Sequence, residues 1–577
     1  MAWIDYKKAY DSVPHSWILE SLRLHKIEPK LIAFIQQSMS HWKTTLYANS
    51  KPLTEVTIKC GIYQGDALSP LLFCIALNPL SSLLEQSGYG YKFKSGTIIN
   101  HLFYMDDIKL YAKNERDIDS LIHLTRVFSG DIGMSFGLEK CGRLITNRGQ
   151  VRHTQGLQLP SGHIGDIVDS YKYLGILQSY SNHDEEVREK TTSEYRKRVR
   201  QILKSQLSSK NMVTAINTYA VPVIRYTAAT VTWRQEDLKA IDVGTRKLMT
   251  MHGAFHPKSS TTRLYSARKK GGRGLHSVQR AVKEEEQSMK SYIEAKAHED
   301  PLMVECQTIA NNWETIPDAE EWHDKPLHGA WHNGVCKVAD MDRTYQWLQK
   351  TNLKANTEAL IMAAQEQALN TRAVAARIYS TGQDPRCRLC MAHSETVAHL
   401  VSGCSKLAAN AYTERHNHVA AIVYRAICAE YEIRLPTDCR MSPERVVQND
   451  RAKVLWDFHI QTDVMVQHNQ PDIVLIDHRA KTGFIIDIAV PRDENIKDKE
   501  QEKIDKYLAL AIELERLWKV KIKVIPVVIG ALGALTDRLP YWLSEIPGKI
   551  NEANLQKSAL LGTSKILRRV LKLPGLW

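Results

Sequence analysis

Apolar and polar positions alternate most cleanly in HLFYMDDIKLYAK, residues 101–113. Leu102 and Tyr104 fall on one face, Met105 and Asp106 make a tight turn, and Ile108, Leu110 and Ala112 return, the pattern of a β-hairpin. Upstream, Ala2 to Tyr6 predicts a short strand. Pro14 suits the first turn of a helix whose apolar stripe is Trp17, Leu22 and Leu24, with Asp11 as its cap. Residues 61–84, GIYQGDALSPLLFCIALNPLSSLL, predict a loop feeding an apolar helix, with Gly61 and Gly65 letting backbone approach a ligand closely. Residues 185–207 read as a long charged helix carrying Arg188, Arg196, Arg198, Arg200 and Lys204. From about 290 to 385 the pattern is helical and polar, with Trp313, Trp322, Trp331 and Trp347 as scattered anchors, as in a connector. Asp472–Asp477 and Gly483–Val490 read as a second hairpin, followed by a helix from about Asp498 to Trp518 and a strand from Lys521 to Val528.

Composition narrows what such elements can serve. The 577 residues allow several domains, and 43% hydrophobic content allows filled cores. A net charge of +13 and a pI near 9.1 favour a polyanionic partner. Nucleic acid fits better than membrane, because the longest apolar runs, Leu71–Leu84 and Val524–Leu535, are too short to span a bilayer. No signal peptide is expected, since the N-terminus opens inside a strand. Ten cysteines, several isolated in apolar stretches, point to a reducing compartment. Between residues 245 and 275, Arg246, Lys247, Lys258, Arg263, Arg268, Lys269, Lys270 and Arg273 cluster around glycines, which predicts a flexible loop that contacts phosphates.

Three clusters carry candidate chemistry. Asp106 and Asp107 sit together at the first hairpin's tip, which makes it either a solvated acidic turn or a metal site. Cys387, Cys390, His399 and Cys404 have the spacing C-x2-C-x8-H-x4-C, and three thiolates with one imidazole are what a closed structural zinc site prefers. His393 is a competing ligand. Finally, Pro471-Asp472 is followed after fourteen residues by Asp487, two strand-terminal carboxylates on neighbouring strands.

The stretches DYKKAYD, YQGDALSP and YMDD, in this order, resemble motifs A, B and C of the reverse transcriptase palm. The resemblance implies in-line phosphoryl transfer with two Mg2+ ions held by hard oxygen ligands. Asp5 and Asp106 are then the metal ligands, and Asp107 a third ligand or a group that orients Asp106. Tyr10 would stack under the incoming sugar, while Gln64, Gly65 and Tyr104 belong to the nucleotide and template contacts. Lys140 resembles the motif D lysine that acts on pyrophosphate, and Ser170–Ile176 resembles motif E, the primer grip. The basic stretch with His252, Pro257 and Gly-Gly-Arg-Gly is similar to the thumb of non-LTR retrotransposon polymerases.

At the other end, Asp472 and Asp487 resemble the PD-(D/E)XK restriction-like nuclease core. The lysine expected two residues after the second carboxylate is replaced by Ala489. Lys503 and Lys506 lie on one helical face and can substitute; Lys506, next to Tyr507, matches the family's lysine-tyrosine pair, with Lys503 in reserve. Taken together the chain resembles the C-terminal part of a non-LTR retrotransposon reverse transcriptase with a restriction-like endonuclease. That implies an α+β multi-domain fold: palm at 1–180, helical thumb at 181–290, helical connector at 291–385, zinc knuckle region at 386–440 and α/β nuclease domain at 441–577. It also implies an RNA-directed DNA polymerase with a DNA-nicking activity, Mg2+ at both catalytic sites, structural Zn2+, and an RNA template, DNA target or primer and deoxynucleoside triphosphates as partners. Nuclear location follows from the resemblance alone.

One departure bears on activity. The family carries fingers before motif A, whereas Met1 stands four residues before Asp5. Fingers position the triphosphate, so weak polymerisation is expected of this chain. The alternative is a non-catalytic RNA- or DNA-binding relic of such an element.

Overall fold

The structure is a computed structural model that describes residues 1–180, 183–313, 321–378, 380, 382, 384–436 and 442–573. The chain divides into two compact units: residues 1–190 with 229–232 and 286–314, and residues 191–228 with 233–285 and 315–577.

The first unit is built on a four-stranded antiparallel sheet in the order His101–Tyr104, Asp107–Leu110, Ala2–Ile4, Gly142–Arg143. Side chains alternate across a strand, so Ala2, Ile4, Ile108 and Leu110 fall on one face and Trp3 on the other. Helices His15–Leu24, Pro29–Ser40, Ser69–Gln86 and Glu115–Asp131 cover the first face with Ile18, Leu72, Leu77, Ile118 and Leu121. Asn114 starts the last of these by accepting a hydrogen bond from the Asp117 backbone N–H. On the opposite face the hairpin Tyr171–Tyr173/Ile176–Gln178 packs Tyr173 and Tyr171 against Trp3. With both faces covered, strand ends are where the sheet can present chemistry.

Two sequence expectations fail here for local reasons. Asp11 does not cap the helix beginning at His15; it lies exposed in the one-turn helix Ala9–Ser12, and Pro14 occupies the cap position without a side-chain bond. Of that helix's expected stripe, Leu22 is buried beside Ile18 and Ser21 and Trp17 packs partly buried against the same core, but Leu24 is 58% exposed. The expected strand and hairpin are found, as Ala2–Ile4 and as His101–Tyr104/Asp107–Leu110, although Leu102 and Tyr104 occupy the exposed face.

The second unit contains a five-stranded sheet in the order Val446–Gln448, Ala452–Trp456, Ile473–Asp477, Thr482–Ala489, Lys521–Val528. Neighbours are antiparallel except the last pair, whose parallel strands are joined by the crossover helix Ile496–Trp518. That helix lays Tyr507, Leu510, Ala511 and Leu514 on Val474, Ile476 and Ile485, while helices Thr413–Glu430 and Glu552–Leu571 cover the other face.

The stretch read as a polar connector behaves differently. Trp322, Trp331 and Trp347 are buried, and the helix Ala355–Gln365 is buried at every residue but Asn356, with Leu360–Ala364 in one core with Cys387, Cys404 and Leu560. Residues 314–320 of that stretch lie outside the described residues. The basic loop is likewise partly interior. Arg263 and Arg273 are buried, Arg263 pairing with Glu366, and Arg273 with Glu358, which also takes Arg268. A guanidinium bound to a buried carboxylate is a structural strut, so these three arginines are not flexible phosphate contacts. Among the described residues no helix is long and apolar enough to cross a membrane.

Candidate active sites

Asp5 follows directly on the strand Ala2–Ile4, where Ile4 pairs with Ile108 in antiparallel register. One step further along the same register sets Asp5 against Asp107, and Tyr104–Asp107 closes the neighbouring hairpin around Met105 and Asp106. Met105 takes a left-handed backbone, φ 56°, as a two-residue hairpin turn requires. The three carboxylates thus meet at the ends of the two central strands, and their electrostatics record it. Burial raises the pKa of Asp5 above its ordinary value and Lys140 lowers it, while the charges of Asp106 and Glu139 raise it further. Burial, Asp106 and Asp5 likewise raise Asp107, against Lys140.

The surroundings of these carboxylates are fixed by several contacts. The Cys141 thiol lies 3.5 Å from the Asp5 backbone N, and Gly137 N–H donates to the Asp5 carbonyl at 2.8 Å. Lys140 Nζ lies 3.5 Å from Asp5 Oδ1 on a largely exposed side chain, held in place by Tyr171, whose hydroxyl donates to the Lys140 carbonyl at 2.7 Å. Tyr10 stacks flat on Phe73, centroids 4.6 Å apart, and burial followed by the Asp106 charge raises its hydroxyl pKa. The loop bearing Gln64 and Gly65 is hung from the same segment, since Ile62 N–H donates to the Tyr10 carbonyl at 2.7 Å and Gly61 N–H to Val13 at 2.8 Å. Gly61 is required by its own chain: φ is +88° and a Cβ there would lie 2.8 Å from the Asp11 carbonyl. Gly65, φ +94°, faces open space, and it, Gln64 and Tyr104 are exposed. Carboxylates gathered this closely, with the Asp106 charge raising both Asp5 and Asp107 and Lys140 beside Asp5, are a donor set suited to a hard divalent cation.

Lys109 escaped the sequence reading. It is buried under the sheet with Nζ 5.1 Å from the centroids of both Trp3 and Tyr111, bonded to Gln178 Oε1 at 2.7 Å, and burial pushes its pKa down to about 8. The only sequence signal was an alternation that should have left it on a solvated face.

In the second unit Cys387, Cys390, His399 and Cys404 offer ligand atoms that all lie within 4.8 Å of one another. Cys387 Sγ and Cys404 Sγ are 3.9 Å apart, and Cys390 Sγ is 3.4 Å from His399 Nε2. Burial pushes the Cys404 thiol up to about 11, whereas the Ala392 backbone N–H holds the Cys390 thiol below its usual value. The donor set and its spacing fit Zn2+.

The second carboxylate pair is on the five-stranded sheet. Ile473 pairs with Ile486, so Asp472, just before its strand, and Asp487, inside the strand Thr482–Ala489, face each other one position outward. Both are well covered, Asp487 being buried. Lys503 of the crossover helix forms an ion pair with Asp487 Oδ2. Lys506 instead lies over the Tyr507 ring, 4.5 Å from its centroid, and donates to the Tyr507 hydroxyl at 2.9 Å. Of the two lysines it is therefore Lys503 that meets Asp487 directly.

A histidine the sequence did not suggest completes this site. His416 Nε2 is 3.0 Å from Asp472 Oδ2 and 3.1 Å from the Ile488 carbonyl, and Ile488 N–H donates to the same Asp472 oxygen at 2.7 Å. Burial opposes a charged imidazole, but the Asp472 carboxylate outweighs it and raises His416 to about 9. Burial opposes the charged form of Asp472 too, and His416 nevertheless holds it below its usual range. Burial and the neighbouring Asp472 raise Asp487.

With this geometry in place, comparisons with known proteins locate the chain. Residues 1–177 match the family described as reverse transcriptase (RNA-dependent DNA polymerase). The chain is similar to a Pol polyprotein from a type-1 R2 retrotransposable element of Popillia japonica, 23% identical over 73% of this chain and 71% of the relative. It is also similar to the corresponding proteins of Drosophila melanogaster, 25% identical over 40% of this chain, and Nasonia vitripennis, 28% identical over 31%. The matches span only 22% and 18% of those two relatives' lengths. These relatives support a polymerase of the non-LTR retrotransposon kind. A solved telomerase from Candida albicans, 12% identical, aligns over 54% of this chain and 49% of its own with a TM-score of 0.23, too low to bear on the fold.

Proposed function

We propose that this chain copies RNA into DNA and nicks the DNA whose freed 3′-hydroxyl primes the copy, the target-primed chemistry of a non-LTR retrotransposon protein. The observation that carries the polymerase half is the convergence of Asp5, Asp106 and Asp107 at the ends of the two central strands, within the residues that match the reverse transcriptase family. Asp5 and Asp106, with Asp107 as a third ligand, would hold Mg2+, which supplies Lewis-acid activation of the primer hydroxyl and offsets charge on the leaving pyrophosphate. Tyr10, braced on Phe73, lies under the incoming sugar and excludes a 2′-hydroxyl. Gln64, Gly65 and Tyr104 contact the nucleotide and template, and Lys140 serves the pyrophosphate. RNA template, DNA primer and deoxynucleoside triphosphates are the partners, in the nucleus.

For the nuclease half, Asp472 and Asp487 would hold Mg2+, with His416 orienting Asp472 and Lys503 directed at the phosphate. Lys506 steadies Tyr507, whose hydroxyl donates to the Gln470 carbonyl at 3.2 Å beside Asp472. Cys387, Cys390, His399 and Cys404 would hold Zn2+ in a structural role. The five-part division into palm, thumb, connector, knuckle and nuclease stays part of this proposal.

Primer extension on an RNA template with Mg2+, comparing this chain with Asp106→Asn, tests the first half. A loss of at least about a hundredfold is expected, since a metal-binding carboxylate acts on the transition state. Equal background from the two proteins would favour a nucleic-acid-binding relic. Nicking of plasmid DNA, lost in Asp487→Ala, tests the second half separately.

A further inference from the structure

Next to the Asp5/Asp107 pair, on the same face of the four-stranded sheet, stands a second cross-strand pair that neither proposed activity uses. Trp3 lies opposite Lys109 in the register that sets Ile4 against Ile108, and side chains return to one face at every second residue of a strand. Trp3 and Asp5 therefore share a face with Lys109 and Asp107. Adjacent pairs on one face of a sheet pack against each other, so the Trp3/Lys109 pair supports the carboxylate pair.

A lysine is costly at that position. Lys109 is buried, and among the described residues it has no carboxylate within ion-pair distance, so nothing repays the loss of water around its charge. It has a cage instead. Nζ stands 5.1 Å from the Trp3 and Tyr111 centroids and 5.8 Å from that of Tyr173, and it donates to Gln178 Oε1 at 2.7 Å. The same oxygen accepts from Trp3 Nε1 at 3.3 Å. One amide oxygen thus ties the strand that leads to Asp5 to the strand that begins at Asp107. The hairpin that ends in Gln178 reaches the site twice more: the Tyr173 hydroxyl donates to the Asp107 carbonyl at 3.4 Å, and Tyr171, stacked on Trp3 at 5.0 Å, bonds the Lys140 carbonyl. An aliphatic side chain would fill the cage at less cost than Lys109, but it could not hold Gln178.

We infer that Lys109 is a positioning residue of the polymerase site: through Gln178 it pins the two central strands at the spacing that lets Asp5 and Asp107 share one divalent cation. The inference rests on the reading of these carboxylates as a metal site, and it fixes the sign of an effect. Were the ammonium only a nearby charge, removing it would strengthen cation binding, because like charges repel. Removing a pin weakens it, since ligands left unsupported lose their geometry.

Titration of the full chain with Mn2+, followed by electron paramagnetic resonance, tests it; the bound Mn2+ that Asp106→Asn releases is the share of this site. Lys109→Met keeps the stem and removes the donor, and should weaken that share about tenfold. Gln178→Met removes the acceptor and should do the same. The double variant should bind no more weakly than either, because both changes break one bond. Affinity unchanged or raised in Lys109→Met, or losses that add in the double variant, would overturn the inference. If Lys109→Met does not fold, Gln178→Met decides alone, and unchanged affinity there overturns it. If Asp106→Asn releases no Mn2+ from the otherwise unaltered chain, the metal reading is what falls, and hydrogen exchange decides the pin. Lys109→Met should then speed exchange in Ala2–Ile4 and Asp107–Leu110 but not in the helix Ser69–Gln86, and equal rates in those strands overturn it.

Discussion

The two carboxylate sites start from one backbone device and differ in how their charge is answered. Each sets an aspartate one residue off a strand end against another on the antiparallel neighbour, Asp5 with Asp107 and Asp472 with Asp487. At the first, burial and the Asp106 charge raise Asp5 and Asp107, and one exposed lysine lies 3.5 Å from Asp5. At the second, His416 and Lys503 are packed against the pair from two helices, and Asp472 is held low while burial and Asp472 raise Asp487. The first site is therefore destabilised until a cation arrives. The second carries its own cations and is part of the fold.

The largest effect should come from removing a built-in cation. Lys503→Ala leaves Asp487 buried and unpaired, and should lower unfolding stability by about 3–5 kcal/mol in urea titration. Adding Asp487→Asn should recover much of that, since the uncompensated charge is then gone. No recovery would place the loss in packing instead.

His416 comes next. A folded-state pKa raised to about 9 gives stability that is complete below the histidine's ordinary value near 6.5 and is lost as pH rises through about 9. Asp472, held low, loses its share only in strong acid. His416→Gln should thus cost about 2–3 kcal/mol at neutral pH and almost nothing well above pH 9. A cost independent of pH would mean that the imidazole acts by shape alone.

The first site should respond with the opposite sign and a smaller size. Raised carboxylates favour the folded chain below their ordinary pKa and oppose it as pH rises through their folded values. Asp107→Asn should therefore stabilise the metal-free chain at neutral pH by about 1 kcal/mol, read as a rise in the melting temperature. Smallest of all, Lys506→Ala should change stability by under about 1 kcal/mol, because its ammonium meets a ring and a hydroxyl rather than a buried carboxylate. A loss as large as that of Lys503→Ala would reverse the ranking of the two lysines.

What could be read in advance follows from distance along the chain. The Met105–Asp106 turn, the strand before Asp5 and the Cys/His spacing are local patterns, and each is found where the sequence put it. The helix expected at Asp498–Trp518 and the strand at Lys521–Val528 are found as Ile496–Trp518 and Lys521–Val528. Helical periodicity could not separate Lys503 from Lys506, because which turn meets Asp487 depends on how the helix docks on the sheet. Arg263 and Arg273 looked like surface charge because their carboxylates, Glu366 and Glu358, come about a hundred residues later. His416 meets Asp472 across 56 residues, with no motif to announce it.

The central claim is that Asp5, Asp106 and Asp107 form one divalent-cation site. Anomalous scattering from crystals soaked in Mn2+, as a substitute for Mg2+, tests it most directly. The account predicts a peak at about 2.0–2.2 Å from a carboxylate oxygen of both Asp5 and Asp106, absent in Asp106→Asn. Ordered side chains with no peak between them, or a peak that persists in the variant, would contradict it.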